Sequence, residues 1–221
     1  MSFFITKHSD LYNKSVTHPL TTELCKGTLP NHVLFTYLNQ DLKFFNLGLS
    51  VMGKALAMCP NPESRVRLAR QIGFFANDEN LYFTKTLEEL EHEDLSQVAK
   101  LKSNGLVLPE VQEYLDFMKR AIYNYDYVQI ATFLYVMEKI YLDWATSELA
   151  KEKSKSNLPY KYQEWINLHT GKAFTEWVEF LEKEVVDNTK STDDKKKSED
   201  TFVETVKLEI GFFESCYSYR D

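Results

Sequence analysis

The sequence predicts an all-α fold, a single-domain helical bundle, on three observations. Apolar residues recur three and four apart along nearly the whole chain of 221 residues, with no strand-like alternation. Glycine and proline are scarce, 7 and 6, so few turns need building and long helices are favoured. Apolar residues make up 43%, enough for one substantial core, and no linker-like shift in composition divides residues 1–221.

The elements follow in order. Residues 3–16 form a first helix, ended near His18-Pro19, and a short helix over 20–26 stops at Gly27. Thr28-Leu29-Pro30 reads as the entry to a long helix, 31–58, broken by Cys59-Pro60 and Pro62. The next helix runs from Pro62-Glu63 to about 91, with a bend near Gly73. A loop over 102–108 contains Gly105, and Pro109 is well placed to start a helix reaching 123. A long helix spans 126–153 and is closed by KSNLP. Helices over 159–170 and 172–188 flank Gly171. The polar stretch TKSTDDKKKSED, 189–200, is a solvated loop or helix start, and a last helix spans 200–218.

Composition narrows the function. The net charge of −7 argues against a nucleic-acid partner, which needs a basic face. No window approaches 18 uninterrupted apolar residues, so nothing is expected to span a membrane. Cys25, Cys59 and Cys216 are odd in number and follow no metal or disulfide spacing. Together with an N-terminus, MSFFITKHSD, that shows no secretory signal, this points to an intracellular, cytoplasmic protein. The cysteines read as small buried hydrophobes, since Cys25 and Cys216 have no His nearby to activate them.

Three helices carry a carboxylate on an apolar stripe. Asp41 shares a face with Tyr37 and Phe44. Glu138 shares one with Leu134, Tyr135 and Tyr141. Glu209 lies with Phe202, Phe213 and Tyr217. Each costs several kcal/mol to bury, on the order of a full desolvation penalty, unless it is paired or hydrogen-bonded. Each could pair with a Lys, Arg or Tyr hydroxyl at the core's edge. Three on separate helices instead suggest a pocket with apolar walls and convergent acids. Such a pocket suits a flat heterocycle with amine donors. A di-metal centre would need two Glu-x-x-His copies, and only Glu89-Leu90-Glu91-His92 approaches that pattern, in an acidic run expected to be exposed. No metal and no cofactor are therefore expected.

The segment THPLTTELCKGTLPNHVLFTYLNQDLKFF, 17–45, resembles the opening motif of the TenA family: His-Pro, Gly-x-Leu, then Tyr-x-x-Gln-Asp-x-x-aromatic. EYLDFM (113–118), YQEWINLHTGKAF (162–174) and VKLEIGFFESCY (206–217) are similar to later family segments, in the same order. The resemblance covers nearly the whole chain. It implies a haem-oxygenase-like bundle that binds no haem, forms a homo-oligomer (dimer or tetramer), and salvages thiamin pyrimidines by hydrolysing aminomethyl or formylaminomethyl groups. It implies that Asp41 holds the aminopyrimidine ring, that Phe44 and Tyr114 are pocket aromatics, and that Glu209 is the catalytic acid/base. Tyr37, Tyr135, His169 and Phe213 join the expected binding residues. The chain departs from the family's cysteine-bearing subclass, with Thr132 at the cysteine position, Val136 for a pocket Tyr and His169 for another. LYVMEKIYLDWA instead resembles the subclass that lacks the cysteine and keeps a glutamate, which places Glu138 in the pocket as a second catalytic carboxylate. The expectation is a cysteine-independent hydrolase of thiamin-derived aminopyrimidines. The alternative is a non-catalytic protein that binds them.

Overall fold

A computed structural model describes residues 1–147 and 158–221. Among them every regular element is helical: α1 (Ser2–Lys7), α2 (Ser9–Val16), α3 (Pro19–Cys25), α4 (Asn31–Met58), α5 (Pro62–Phe74), α6 (Asn80–Glu91), α7 (Ala99–Asn104), α8 (Pro109–Asn124), α9 (Tyr127–Thr146), α10 (Tyr160–Leu168), α11 (Gly171–Asn188) and α12 (Thr192–Ser218). A π-helical turn, Phe75–Glu79, joins α5 to α6, and a 3-10 turn, Ser96–Val98, precedes α7.

The helix starts have local causes. His18 caps α3, its ring Nδ1 accepting from the Leu20 amide, with Pro19 in the first turn. Asn61 Oδ1 accepts from the amides of Glu63 and Ser64 and starts α5. Asp126 and Gln129 form a capping box on α9. Ser191 and Asp194 form another on α12.

That second box corrects the sequence reading at the largest scale. α12 begins at Thr192, so most of the polar stretch is helix, steadied by the ion pairs Lys196–Asp200 and Lys197–Asp193 on its exposed face. Three smaller differences follow. The predicted 3–16 helix is two helices, because the chain turns at His8. The bend near Gly73 is the π turn just after it. Residues 99–104 are helical, and the loop is confined to the stretch after Gly105, whose φ of 61° ends α7. The far end of the predicted 126–153 helix lies outside the described residues.

The core runs along α9, apolar on nearly every side, and packs it against α11, α12 and α4. Helix α4 also packs on α8 and α12. Buried Gln40 on α4 anchors the loop before α8: its amide donates to Leu106 O at 2.8 Å and its Oε1 accepts from the Leu108 amide at 3.0 Å. This stitching holds α4, α8, α9 and α12 around one interior space, with α6 and α10 closing another side.

Candidate active site

The space is an aromatic slot between α4, the π turn, α6, α8, α9 and α10. It comprises about 580 Å³ between atoms, its opening to solvent included. Phe44, Phe45, Phe75, Phe83, Phe133, Tyr141 and Trp165 give it rings. Leu134, Met52, Met118 and Met137 fill the apolar wall. Four polar side chains interrupt the wall: Asp41, Glu79, Glu138 and His169. Among the described residues no Lys or Arg lines it.

Helix α9 presents Phe133, Leu134, Met137, Glu138 and Tyr141 to the slot. At about 100° per residue these cover some 140° of the helix, with Glu138 at one edge. Trp177 of α11 reaches that edge, and its indole N–H donates to Glu138 Oε1 at 2.9 Å. Burial pushes the Glu138 carboxyl up to about 7, with the Trp177 hydrogen bond acting the other way.

Asp41 is buried on α4, and no group among the described residues lies within hydrogen-bonding distance of its carboxyl. Desolvation pushes it up to about 8. Nearby, the Trp165 indole N–H donates to Tyr37 Oη at 3.1 Å, and Tyr37 Oη lies 3.0 Å from Tyr141 Oη. His169 ends α10 with its Nδ1 2.8 Å from Trp165 O. A carbonyl only accepts, so Nδ1 carries the proton and Nε2 is left as an acceptor. Burial lowers His169 to about 4, which keeps the ring neutral at pH 7.

The expected site residues fall into three groups. Asp41, Phe44, Glu138 and His169 are on the slot's lining. Glu209, Tyr114, Tyr37 and Phe213 are buried behind it. Tyr114 Oη donates to Glu209 Oε1 at 2.7 Å, and Tyr114 packs on Phe44 with centroids 4.8 Å apart, so Glu209 is separated from the slot by one layer of rings. Burial raises Glu209 to about 8, the Tyr114 hydrogen bond opposes this, and the charges of Asp41 and Glu138 add to it. Tyr135 belongs to the third group, away from the slot. It lies about 60° round α9 beyond Glu138, toward Tyr12 and Asp143, because a three-residue step overshoots the lining's edge.

The family profile described as TENA/THI-4/PQQC matches residues 5–219. The chain belongs to that family. Its all-α arrangement is the haem-oxygenase-like fold of TenA proteins. A TenA homologue from P. horikoshii is similar at TM-score 0.81 and 19% identity, covering 98% of this chain and 97% of its own. A TenA family transcription regulator from Silicibacter sp. is similar at TM-score 0.79 and 17% identity, covering 99% and 96%. A structure named as a candidate TenA-like thiaminase, from Sulfolobus solfataricus, is similar at TM-score 0.75 and 16% identity, covering 97% and 94%. No curated protein sequence matches the chain. No described helix is long and apolar enough to cross a membrane.

Two features of this family member escaped the sequence reading. Glu79, in the π turn, is a further carboxylate on the lining. Burial first, and then the charges of Glu138 and Asp41, raise its carboxyl well above the ordinary range. Its signal was the one that singled out Asp41: Phe75 and Phe83 lie four residues to either side. The second concerns Thr132, which faces away from the slot. Its Oγ1 donates to Val128 O at 2.7 Å and lies 2.8 Å from Ser198 Oγ on α12. One turn before Glu138, the residue on the lining is Leu134. No cysteine lines the slot.

Proposed function

We propose that the protein hydrolyses a C–N bond in thiamin-derived aminopyrimidines without a cysteine nucleophile. Family membership and the thiaminase-named neighbour support a role in thiamin metabolism. The observation that carries the finer reading is the slot itself: flat aromatic walls and several carboxylates, with no cation among the described lining residues. An aminopyrimidine fits this chemistry. Its exocyclic amine and a protonated ring nitrogen donate to Asp41, which has no donor of its own, and its ring stacks against Phe44. The neutral His169 offers Nε2 to a further donor.

Hydrolysis of a formylaminomethyl group then needs two proton transfers. A carboxylate takes a proton from water as the oxygen attacks the formyl carbon. A carboxylic acid gives a proton to the departing nitrogen, releasing formate and the amine. Glu138, on the lining, meets the reacting atoms. Glu209, paired with Tyr114 behind Phe44, does not touch those atoms, so Glu138 serves both transfers in turn while Glu209 is coupled to Asp41 and Glu138 through charge. A buried carboxylate raised to about 7 can take the proton in one step and give it in the next. Cleavage of an aminomethyl group by water uses the same carboxylate, with ammonia leaving.

The test is turnover of formylaminomethyl and aminomethyl pyrimidines, with thiamin included, by pure protein. Release of formate or ammonia, lost in Glu138→Gln, supports the reading. Tight binding without product favours the non-catalytic alternative.

A further inference from the structure

The π turn is the one interruption in the helical run from Pro62 to Glu91, and it lies where that run meets the slot. In an α-helix, residues four apart drift about 40° each step. The wider π turn holds more than four residues, so a step of four falls short of a full circle there and cancels the drift of the next. Phe75, Glu79 and Phe83 consequently keep one face, and all three reach the slot. The side-chain amide of Asn77 donates to Gly73 O at 2.8 Å, giving that carbonyl a partner at the interruption. Single π turns in α-helices recur at functional sites, because maintaining one costs regular hydrogen bonding.

Glu79 is half-buried, and among the described residues nothing donates to it or pairs with it. It shares the slot's lining with Glu138 and Asp41, and Glu209 is not on that lining. The slot itself therefore holds three carboxylates, Asp41, Glu138 and Glu79, with Glu209 behind its wall. A ring held by Asp41, with its reacting substituent at Glu138, occupies the slot that Glu79 also lines.

Resting on the proposed aminopyrimidine reading, we propose that Glu79 is a specificity-determining residue that reads the charge of the substituent on the ring. A protonated amine in the slot meets carboxylates that no cation among the described lining residues balances. A neutral hydroxyl offers Glu79 one uncharged hydrogen bond. The site thus selects an ammonium-bearing ligand over its neutral counterpart, and the selection resides in Glu79 and not in the ring contacts.

The probes are two aminopyrimidines that share a ring, one with an aminomethyl and one with a hydroxymethyl group. The hydroxymethyl ligand is read by calorimetric Kd. The aminomethyl ligand is read by KM, or by calorimetric Kd where it is not turned over. Glu79→Gln is expected to weaken the aminomethyl ligand by about 10- to 100-fold and the hydroxymethyl ligand by less than about threefold. Asp41→Asn is expected to weaken both alike. Because Glu79 has no hydrogen-bond partner among the described residues to lose, the melting temperature of Glu79→Gln should be no lower than that of the parent. Equal losses for the two ligands, or no loss for either, overturn the assignment of Glu79 while leaving the aminopyrimidine reading in place. Failure of both ligands to bind the unmodified protein overturns that reading and this assignment together.

Discussion

Glu184 and Glu138 are both buried glutamates facing the bundle interior, and their surroundings differ in one respect. Glu184, on α11, accepts from Ser64 Oγ at 2.6 Å through one oxygen and from Tyr127 Oη at 2.6 Å through the other. It clamps α5 and α9 to α11. Glu138 accepts from Trp177 alone, and Asp41 from nothing among the described residues. One region uses its carboxylate to hold helices, with every oxygen satisfied. The other leaves acceptor capacity facing a slot. Burial is therefore a poor guide to which acid is functional, and the count of missing donors is a better one.

The sharpest way to break that contrast is to neutralise acids in both regions. Glu138→Gln should lower kcat by about 10²- to 10⁴-fold, and Glu209→Gln, one layer behind the lining, by less, with melting temperature nearly unchanged in both. Glu184→Ala should do the reverse. It leaves Ser64 Oγ without its acceptor and Tyr127 Oη with only Cys59 Sγ, at about 1–3 kcal/mol each, so stability should fall by about 2–6 kcal/mol in a denaturant titration, with kcat kept in the folded fraction. Normal kcat in both slot variants would show those acids to be as structural as Glu184.

Asp41 should show a third behaviour. It contacts a part of the ring that changes little during reaction, so its loss weakens ground and transition states alike. Asp41→Asn should raise KM by about 10- to 150-fold, the equivalent of about 1.5–3 kcal/mol for a charge-assisted contact, and lower kcat much less. A drop in kcat at unchanged KM would move Asp41 from binding to chemistry.

How far the sequence foretold this depends on whether the information was local. The bounds of α4 follow from Pro30 and from Cys59-Pro60, which act within a few residues, and the sequence places them correctly. The start of α12 was missed because its capping box sits inside a run of charge, where Ser191 and Asp194 look like solvated surface. Asp41 stood out against an apolar helix. Glu79 was masked by Asn77, Asp78 and Asn80, although its own stripe is aromatic. Whether Glu209 reaches the slot, and whether Tyr135 does, depends on how neighbouring helices rotate against one another, which stripe counting does not contain.

The titration of the slot's acids sharpens the comparison more gently. Asp41 and Glu209, at about 8, lie well above the ordinary carboxylate range, so the folded chain binds protons there that the unfolded chain has released. Their contribution to stability is full below about pH 4 and is lost as pH rises toward 8. His169 acts oppositely, but only below about 6.5, where the unfolded ring gains a proton that the folded one refuses. Between pH 6.5 and 8 the carboxylates act alone of these groups, so the melting temperature should decline over that window. Asp41→Asn should flatten the decline by removing one titrating group and the charge that raises Glu209. A melting temperature that rises with pH across this window, or an identical slope in the variant, would contradict these assignments.

The smallest effect is an expected absence. Thr132 stands at the position that resemblance to the cysteine-bearing subclass marks for a nucleophile, so Thr132→Cys is the natural attempt to convert the site. Six residues before Glu138, it lies about 120° round α9 on the side away from the slot, in a hydrogen bond with Val128 and against Ser198. A thiol there has no line to a ligand held by Asp41, and in a buried setting its pKa would rise, leaving little thiolate. Thr132→Cys should therefore cleave thiamin no faster than the parent, and the new thiol should resist alkylation in the folded state. Leu134→Cys is the matched control. It places the thiol on the lining, one turn before Glu138, where an alkylating reagent should reach it and a bound aminopyrimidine should shield it. Thiamin cleavage gained by Thr132→Cys, or alkylation of that thiol blocked by an aminopyrimidine, would mean that α9 presents a different face to the slot, and the division between clamp and slot would have to be redrawn.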